Sequence, residues 1–163
     1  MPLTNKQLRY YDSEVLRLPG EKRTEYHAQV DILVANLNKR LKERTDIKIT
    51  RVVKAGSFAK YTILRRTVED PVDVDVMFYI NGRSVDQETF ESLSELIYDA
   101  LISIYPTKEV EDFEIQRKAA TVIFRRSGLS VDVVPVIEDT SKPGYGITTQ
   151  RTVRGFRRAR RAR

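Results

Sequence analysis

Two aspartates one residue apart, Asp73 and Asp75 in Val72-Asp73-Val74-Asp75-Val76, and a third, Asp132 in Val131-Asp132-Val133-Val134-Pro135-Val136, are the side chains best suited to chemistry. In an extended strand alternate side chains point to opposite faces. The valines of the first run therefore turn to one side, and both carboxylates project from the other, about 7 Å apart. Hard oxygen donors at that spacing suit Mg2+, whose remaining positions are filled by water and substrate phosphates. Two such ions can activate an attacking hydroxyl and stabilise a departing pyrophosphate. The plain alternative is an amphipathic strand with two exposed acids; against it, Phe78 and Ile80 are expected to continue the acidic side as apolar residues. Asp132 lies in a run so apolar that an unpaired charge is expensive to keep dry. Either a cation or a salt bridge to Lys118 or Arg125 answers that cost.

A second candidate lies upstream, in Ala55-Gly56-Ser57-Phe58-Ala59-Lys60-Tyr61-Thr62. Glycine lets the backbone come close to a phosphate, and Ser57 with the free amides of a following turn can donate hydrogen bonds to it. Lys60 adds a positive charge and Thr62 a hydroxyl. Alone, such a turn is more often merely a turn, and the G-x-x-x-x-G-K-[ST] spacing of a P-loop is absent. The order is what informs: a phosphate-binding turn, then D-x-D on the next strand, then a lone aspartate on a later one. Tyr10, Tyr11, Tyr61 and Tyr79 can stack on a base but suit packing as well, whereas Tyr145 is the aromatic expected at the nucleotide. Arg65 and Arg66 fit either a phosphate contact or a solvated loop. The single histidine, His27, falls near an apolar helix stripe and reads as a packing or surface residue.

The elements that must position these groups follow from hydrophobic periodicity. Thr4 and Gln7 form a capping box for a first helix carrying Leu8, Tyr11, Val15 and Leu18, ended by Pro19-Gly20. A second helix, near residues 21–43, places Tyr26, Val30, Leu33, Val34, Leu37 and Leu41 on one buried stripe. The period then changes to two at Ile47, Ile49 and Val53, a strand closed by Gly56-Ser57, and residues 71–80 form a second strand. Asp86 caps a third helix with Phe90, Leu93, Ile97, Ala100, Leu101 and Ile104 inward, stopped by Pro106. Three short strands follow near 110–117, 119–125 and 129–136, the last two joined by a tight turn at Arg126-Ser127-Gly128. This order predicts an α+β domain, a mixed sheet flanked by helices and preceded by two N-terminal helices.

The three motifs together resemble the polymerase-beta-type nucleotidyltransferase superfamily over roughly residues 20–147. Within it they are most similar to the bacterial branch that makes cyclic oligonucleotide signals in anti-phage defence, akin to oligoadenylate synthases and archaeal CCA-adding enzymes. The resemblance implies metal-dependent attack of a ribose hydroxyl on the α-phosphate of a triphosphate such as ATP or GTP, with release of pyrophosphate. By motif position Asp73 and Asp75 would bind two Mg2+ ions, or Mn2+ in their place, together with the triphosphate. Asp132 would bind the catalytic ion and help deprotonate the hydroxyl, while Gly56 and Ser57 would hold the β and γ phosphates, with Lys60, Thr62 and Tyr145 completing the nucleotide site. Catalysis of this kind is mostly positioning and charge neutralisation, so no nucleophilic side chain is required. The acceptor stays open between a growing oligonucleotide signal, an RNA 3′ end and a small molecule, as does a nucleotide-binding remnant without turnover.

Composition sets the remaining bounds. The chain has 163 residues, of which 40% are apolar, enough for one domain with its own core. It contains no cysteine, which excludes disulfides and a thiol nucleophile and, with one histidine, disfavours zinc. No stretch approaches a membrane span, and a cytoplasmic protein with no membrane partner is the expectation. The net charge of +6 is concentrated: seven of the 29 basic residues are arginines of residues 151–163, which hold no acid, leaving 22 basic against 23 acidic residues elsewhere. The expected division is a catalytic core over 1–147 and an arginine-rich tail over 148–163, disordered or able to bind nucleic-acid phosphates. The resembled branch continues into a C-terminal helical domain forming the other wall of the nucleotide cleft, where this chain carries the arginines; a second subunit is one source of that wall.

Overall fold

The computed structural model describes residues 2–60, 71–85, 92–116 and 118–138, and the backbone of 146–148. Helix α1 (Asn5–Tyr10) opens on the expected capping box, in which the Thr4 hydroxyl accepts from the Gln7 amide and the Gln7 side chain accepts from the Thr4 amide. It continues as a π-helical turn over Tyr11–Leu16. Helix α2 (Gly20–Arg44) buries Tyr26, Val30, Leu33, Leu37 and Leu41, with Val34 half-buried against the same cluster. A stripe recurring at three and four residues leaves one face of a 25-residue helix apolar, and that face meets the sheet.

Strands β1 (Ile49–Lys54), β2 (Val72–Asn81), β3 (Phe113–Ile115), β4 (Ala120–Phe124), β5 (Leu129–Glu138) and β6 (Gly146–Thr148) form one sheet of order β1-β2-β5-β4-β3, with β6 also paired to β5. Among the described strands only β2 and β5 run parallel; the other pairs are antiparallel, so the sheet is mixed as expected. A one-turn helix α3 (Gly56–Ala59) separates β1 from β2, and helix α4 (Leu93–Ile104) crosses back before β3. Its Leu93, Ile97, Ala100 and Leu101 are buried, while Asp86 and Phe90 lie outside the described residues. The β4–β5 turn closes at Gly128, whose φ of +72° only glycine adopts freely. Its amide and that of Ser127 both donate to the Phe124 carbonyl.

Helices α2 and α4 cover one side of the sheet. The main core there joins Leu33, Leu37, Ile97 and Leu101 to Val74, Val76, Val131 and Val133. A cavity of about 340 Å³ between these helices, lined by Arg40, Arg44, Glu95 and Asp99 among others, belongs to the helical layer and includes none of the three aspartates.

Two expectations change. The first helix does not bury its stripe: Leu8, Tyr11 and Val15 are exposed, and only Leu18, beyond the helical turns, enters the core. Periodicity marks an amphipathic face but not what covers it. The strand expected near 110–117 starts late, because Val110–Asp112 forms a 3-10 turn that Asp112 anchors through Arg125 Nε and Lys108 Nζ. No helix among the described residues is long and apolar enough to cross a membrane.

Leu37 is fully buried at the helix–sheet contact. Replacing it with alanine is expected to cost about 2–5 kcal/mol, read as a lower urea midpoint in equilibrium unfolding.

Candidate active site

Parallel pairing of β2 with β5 aligns Asp75 with Asp132 and Asp73 with Ser130. Partners across a ladder share a face, so the carboxylates expected from separate motifs stand side by side, one strand spacing apart. Along β2 the even-numbered Val72, Val74, Val76, Phe78 and Ile80 are buried, and the odd-numbered Asp73, Asp75, Met77 and Tyr79 face the other way. Phe78 and Ile80, expected beside the carboxylates, therefore belong to the valine side: a period of two sends residues three or five positions from Asp75 to the opposite face. The apolar neighbours that the aspartates do have on their own face are Met77 and the ring of Tyr79.

Asp132 is half-buried, and its partner is neither of the expected cations. The Thr121 hydroxyl on β4 donates to Asp132 Oδ1 at 2.7 Å, and Thr121 is the Cα partner of Asp132. Arg125 is engaged by Asp112, and Lys118 is exposed. Burial, then the charges of Asp132 and Asp73, hold the Asp75 carboxyl above the usual carboxylate range. Two full charges about 5 Å apart repel by about 3 kcal/mol at an effective dielectric near 20, a repulsion that a divalent cation would reverse. Oxygen-only donors and a protein with no cysteine fit a hard ion of the Mg2+ type. Among the described residues, however, no three acidic or histidine side chains already converge as a ligand cluster; Asp73 sits one strand repeat from the Asp75–Asp132 pair.

The Gly56-Ser57 turn lies against this pair. The Ala55 amide donates to the Asp75 carbonyl at 2.8 Å, extending the ladder one residue beyond β1. Gly56 has φ of +67°, and a Cβ there would overlap Asp75 Oδ2, so both backbone conformation and contact demand glycine. Phe58, 1% exposed, plugs α3 into the core and stacks on His27 of α2 with ring centroids 4.2 Å apart. Lys54, the last residue of β1, reaches Asp31 Oδ1 at 2.7 Å and His27 Nδ1 at 3.1 Å. An ammonium has no acceptor, so Nδ1 accepts; burial and then the lysine charge lower the His27 pKa, keeping the ring neutral. His27 is thus a packing residue, as expected, and it fastens the turn.

Gly56, Ser57 and Lys60 are exposed around α3. Thr62, Tyr145, Tyr61, Arg65 and Arg66 lie outside the described residues. Tyr79 carries the Arg51 guanidinium 3.7 Å above its ring, with Glu138 3.6 Å from that arginine, while Tyr10 and Tyr11 are exposed on the N-terminal helical turns. Sequence reading missed Thr121 and Lys54. A threonine in a strand carries no chemical signature until its neighbour across the ladder is known.

The sheet order, the aspartate row and the glycine turn beside it define a nucleotidyltransferase core. Solved structures share it: the complex of CdnC with HORMA-deltaN from E. coli MS115-1 superposes with a TM-score of 0.65 at 28% identity, covering 90% of this chain and 46% of its own. The same CdnC with ATP superposes with a TM-score of 0.63 at 30% identity, covering 86% of this chain and 42% of its own. Residues 5–160 match the family model of the second messenger oligonucleotide or dinucleotide synthetase domain, SMODS, and the chain belongs to that family. A CBASS oligonucleotide cyclase CdnC from Escherichia coli strain KTE188 is 65% identical over 146 residues, 90% of this chain and 46% of that protein. The chain thus spans about half the length of the curated relatives it matches. The family generally uses divalent metal ions.

Two outcomes follow from this geometry. Gly56→Ala is expected to cost at least about 1–2 kcal/mol in urea unfolding from backbone strain, with the overlap on Asp75 added to it. Gly128→Ala, with comparable φ but only the Tyr26 hydroxyl nearby, should cost about 1–2 kcal/mol and so less than Gly56→Ala. A raised Asp75 pKa means that protonation favours the fold: the contribution is full below the ordinary carboxylate pKa and lost as pH rises through the raised value. In EDTA, Asp75→Asn should therefore melt higher than the parent chain at neutral pH, the gap closing as the pH falls into the acid range.

Proposed function

We propose that this chain is the catalytic half of a metal-dependent synthase that joins nucleoside triphosphates into cyclic or linear oligonucleotide second messengers in anti-phage defence. The observation that carries the reading is the alignment of Asp75 with Asp132 on adjacent parallel strands beside a glycine turn whose φ and close approach to Asp75 disfavour any other residue. Family membership and the cyclase at 65% identity support the same reading, and the relative bound to ATP supports a triphosphate as substrate.

In this reading Asp73, Asp75 and Asp132 would hold two Mg2+ ions, or Mn2+ in their place, which would supply charge neutralisation at the triphosphate and acidify the attacking hydroxyl. Asp73 and Asp75 would bind both ions and the triphosphate, and Asp132 would bind the catalytic ion and help deprotonate the hydroxyl. Gly56 would bring the backbone close to the β and γ phosphates, Ser57 would donate to them, and Lys60 and Thr62 would add a charge and a hydroxyl. Tyr145 is the candidate for contact with the base. The relatives are about twice as long as the region matched here.

The test is pyrophosphate release from ATP and GTP with Mg2+, for this chain alone and with a polypeptide corresponding to the second half of the cyclase relatives. Release in either format, abolished by Asp73→Ala and by Asp75→Ala, is the expected result. Release unchanged in those variants would sink the reading. ATP binding without turnover, joined to nucleic-acid affinity that falls steeply with salt and disappears on deleting residues 151–163, would replace it with a binding function.

A further inference from the structure

We propose that Thr121 is the positioning residue for Asp132, holding that carboxylate in the orientation from which it serves a cation and the attacking hydroxyl; the role rests on the functional reading above. Thr121, Asp132 and Asp75 occupy one row across β4, β5 and β2, and the Ala55 amide extends the row to the glycine turn. Asp132 therefore stands between a like charge on one side and a hydroxyl donor on the other. An aspartate turns freely about two side-chain torsions, and repulsion from Asp75 favours any rotamer that swings it away. The 2.7 Å bond from the Thr121 hydroxyl to Oδ1 fixes one oxygen, which sets the plane of the carboxylate and leaves the second oxygen aimed.

Thr121 is itself well held. It is 3% exposed, it lies inside β4, and its branched Cβ restricts χ1, so the hydroxyl has little freedom to seek another partner. A serine would keep the donor with more rotational freedom. A valine would keep the shape and remove the donor, leaving Asp132 with one hydrogen bond fewer beside another carboxylate.

The experiment compares the full chain with Thr121→Val, Thr121→Ser and Asp132→Asn. Three quantities are read: the melting temperature in EDTA, Mn2+ affinity by electron paramagnetic resonance titration with a non-hydrolysable ATP analogue, and the kcat and KM of pyrophosphate release. Thr121→Val is expected to fold, to bind Mn2+ about tenfold more weakly, and to lose about ten- to a hundredfold in kcat with little change in KM. Thr121→Ser should restore Mn2+ affinity to within about threefold of the parent chain. Mn2+ binding by Thr121→Val equal to the parent, or equal loss in the valine and serine variants, overturns the assignment. If Thr121→Val does not fold, Thr121→Ala set against Thr121→Ser makes the same comparison. A parent chain that binds no Mn2+, or Asp132→Asn binding it as tightly as the parent, overturns the metal-site reading itself and the role of Thr121 with it.

Discussion

Among the described strands β2 and β5 are the one parallel pair, and their register is what the neighbouring elements accommodate. Strand β2 alternates buried and outward residues, β5 buries Leu129, Val131 and Val133 with Asp132 and Val134 half-buried, and the buried sets must face the same side to meet α2 and α4. Given that shared side, Asp75 and Asp132 fall on the other, in line with each other. A slip of one residue would bury a carboxylate among the valines, at a desolvation cost no neighbouring group could offset. The hydrophobic core thus enforces the electrostatic conflict at the site.

That conflict is stabilised from its edges. On one side the Gly56 turn presses its backbone against Asp75, and it can do so because Phe58 is sunk in the core while Lys54, His27 and Asp31 tie the end of β1 to α2. On the other side Thr121 supplies the one neutral donor to Asp132 among the described residues. Polar contacts between neighbouring elements and a glycine of unusual backbone conformation are weak features singly. Arranged on one row, they hold open a site whose charges would otherwise separate.

The N-terminal helical turns stand apart from this logic. They are well capped yet bury nothing of their own, and Leu8, Tyr11 and Val15 stay exposed. The described residues therefore carry more amphipathic surface than their own core consumes.

Much of this was readable in the order of residues. The Thr4–Gln7 box, the α2 stripe and the switch from helical to strand period at Ile47 are local patterns, set by geometry that repeats within a few residues. The two-residue spacing of Asp73 and Asp75 likewise fixes their common face, and by the same rule puts Phe78 and Ile80 opposite, against the first expectation. Local spacing, though, says nothing about which strand lies alongside. Asp132 meeting Asp75, Thr121 rather than Lys118 or Arg125 meeting Asp132, and Lys54 meeting His27 across 27 residues all depend on strand pairing and helix packing. Sequence determined which residues could share a face because alternation is a property of one strand; only tertiary structure decided which of them became neighbours, because register is a property of two.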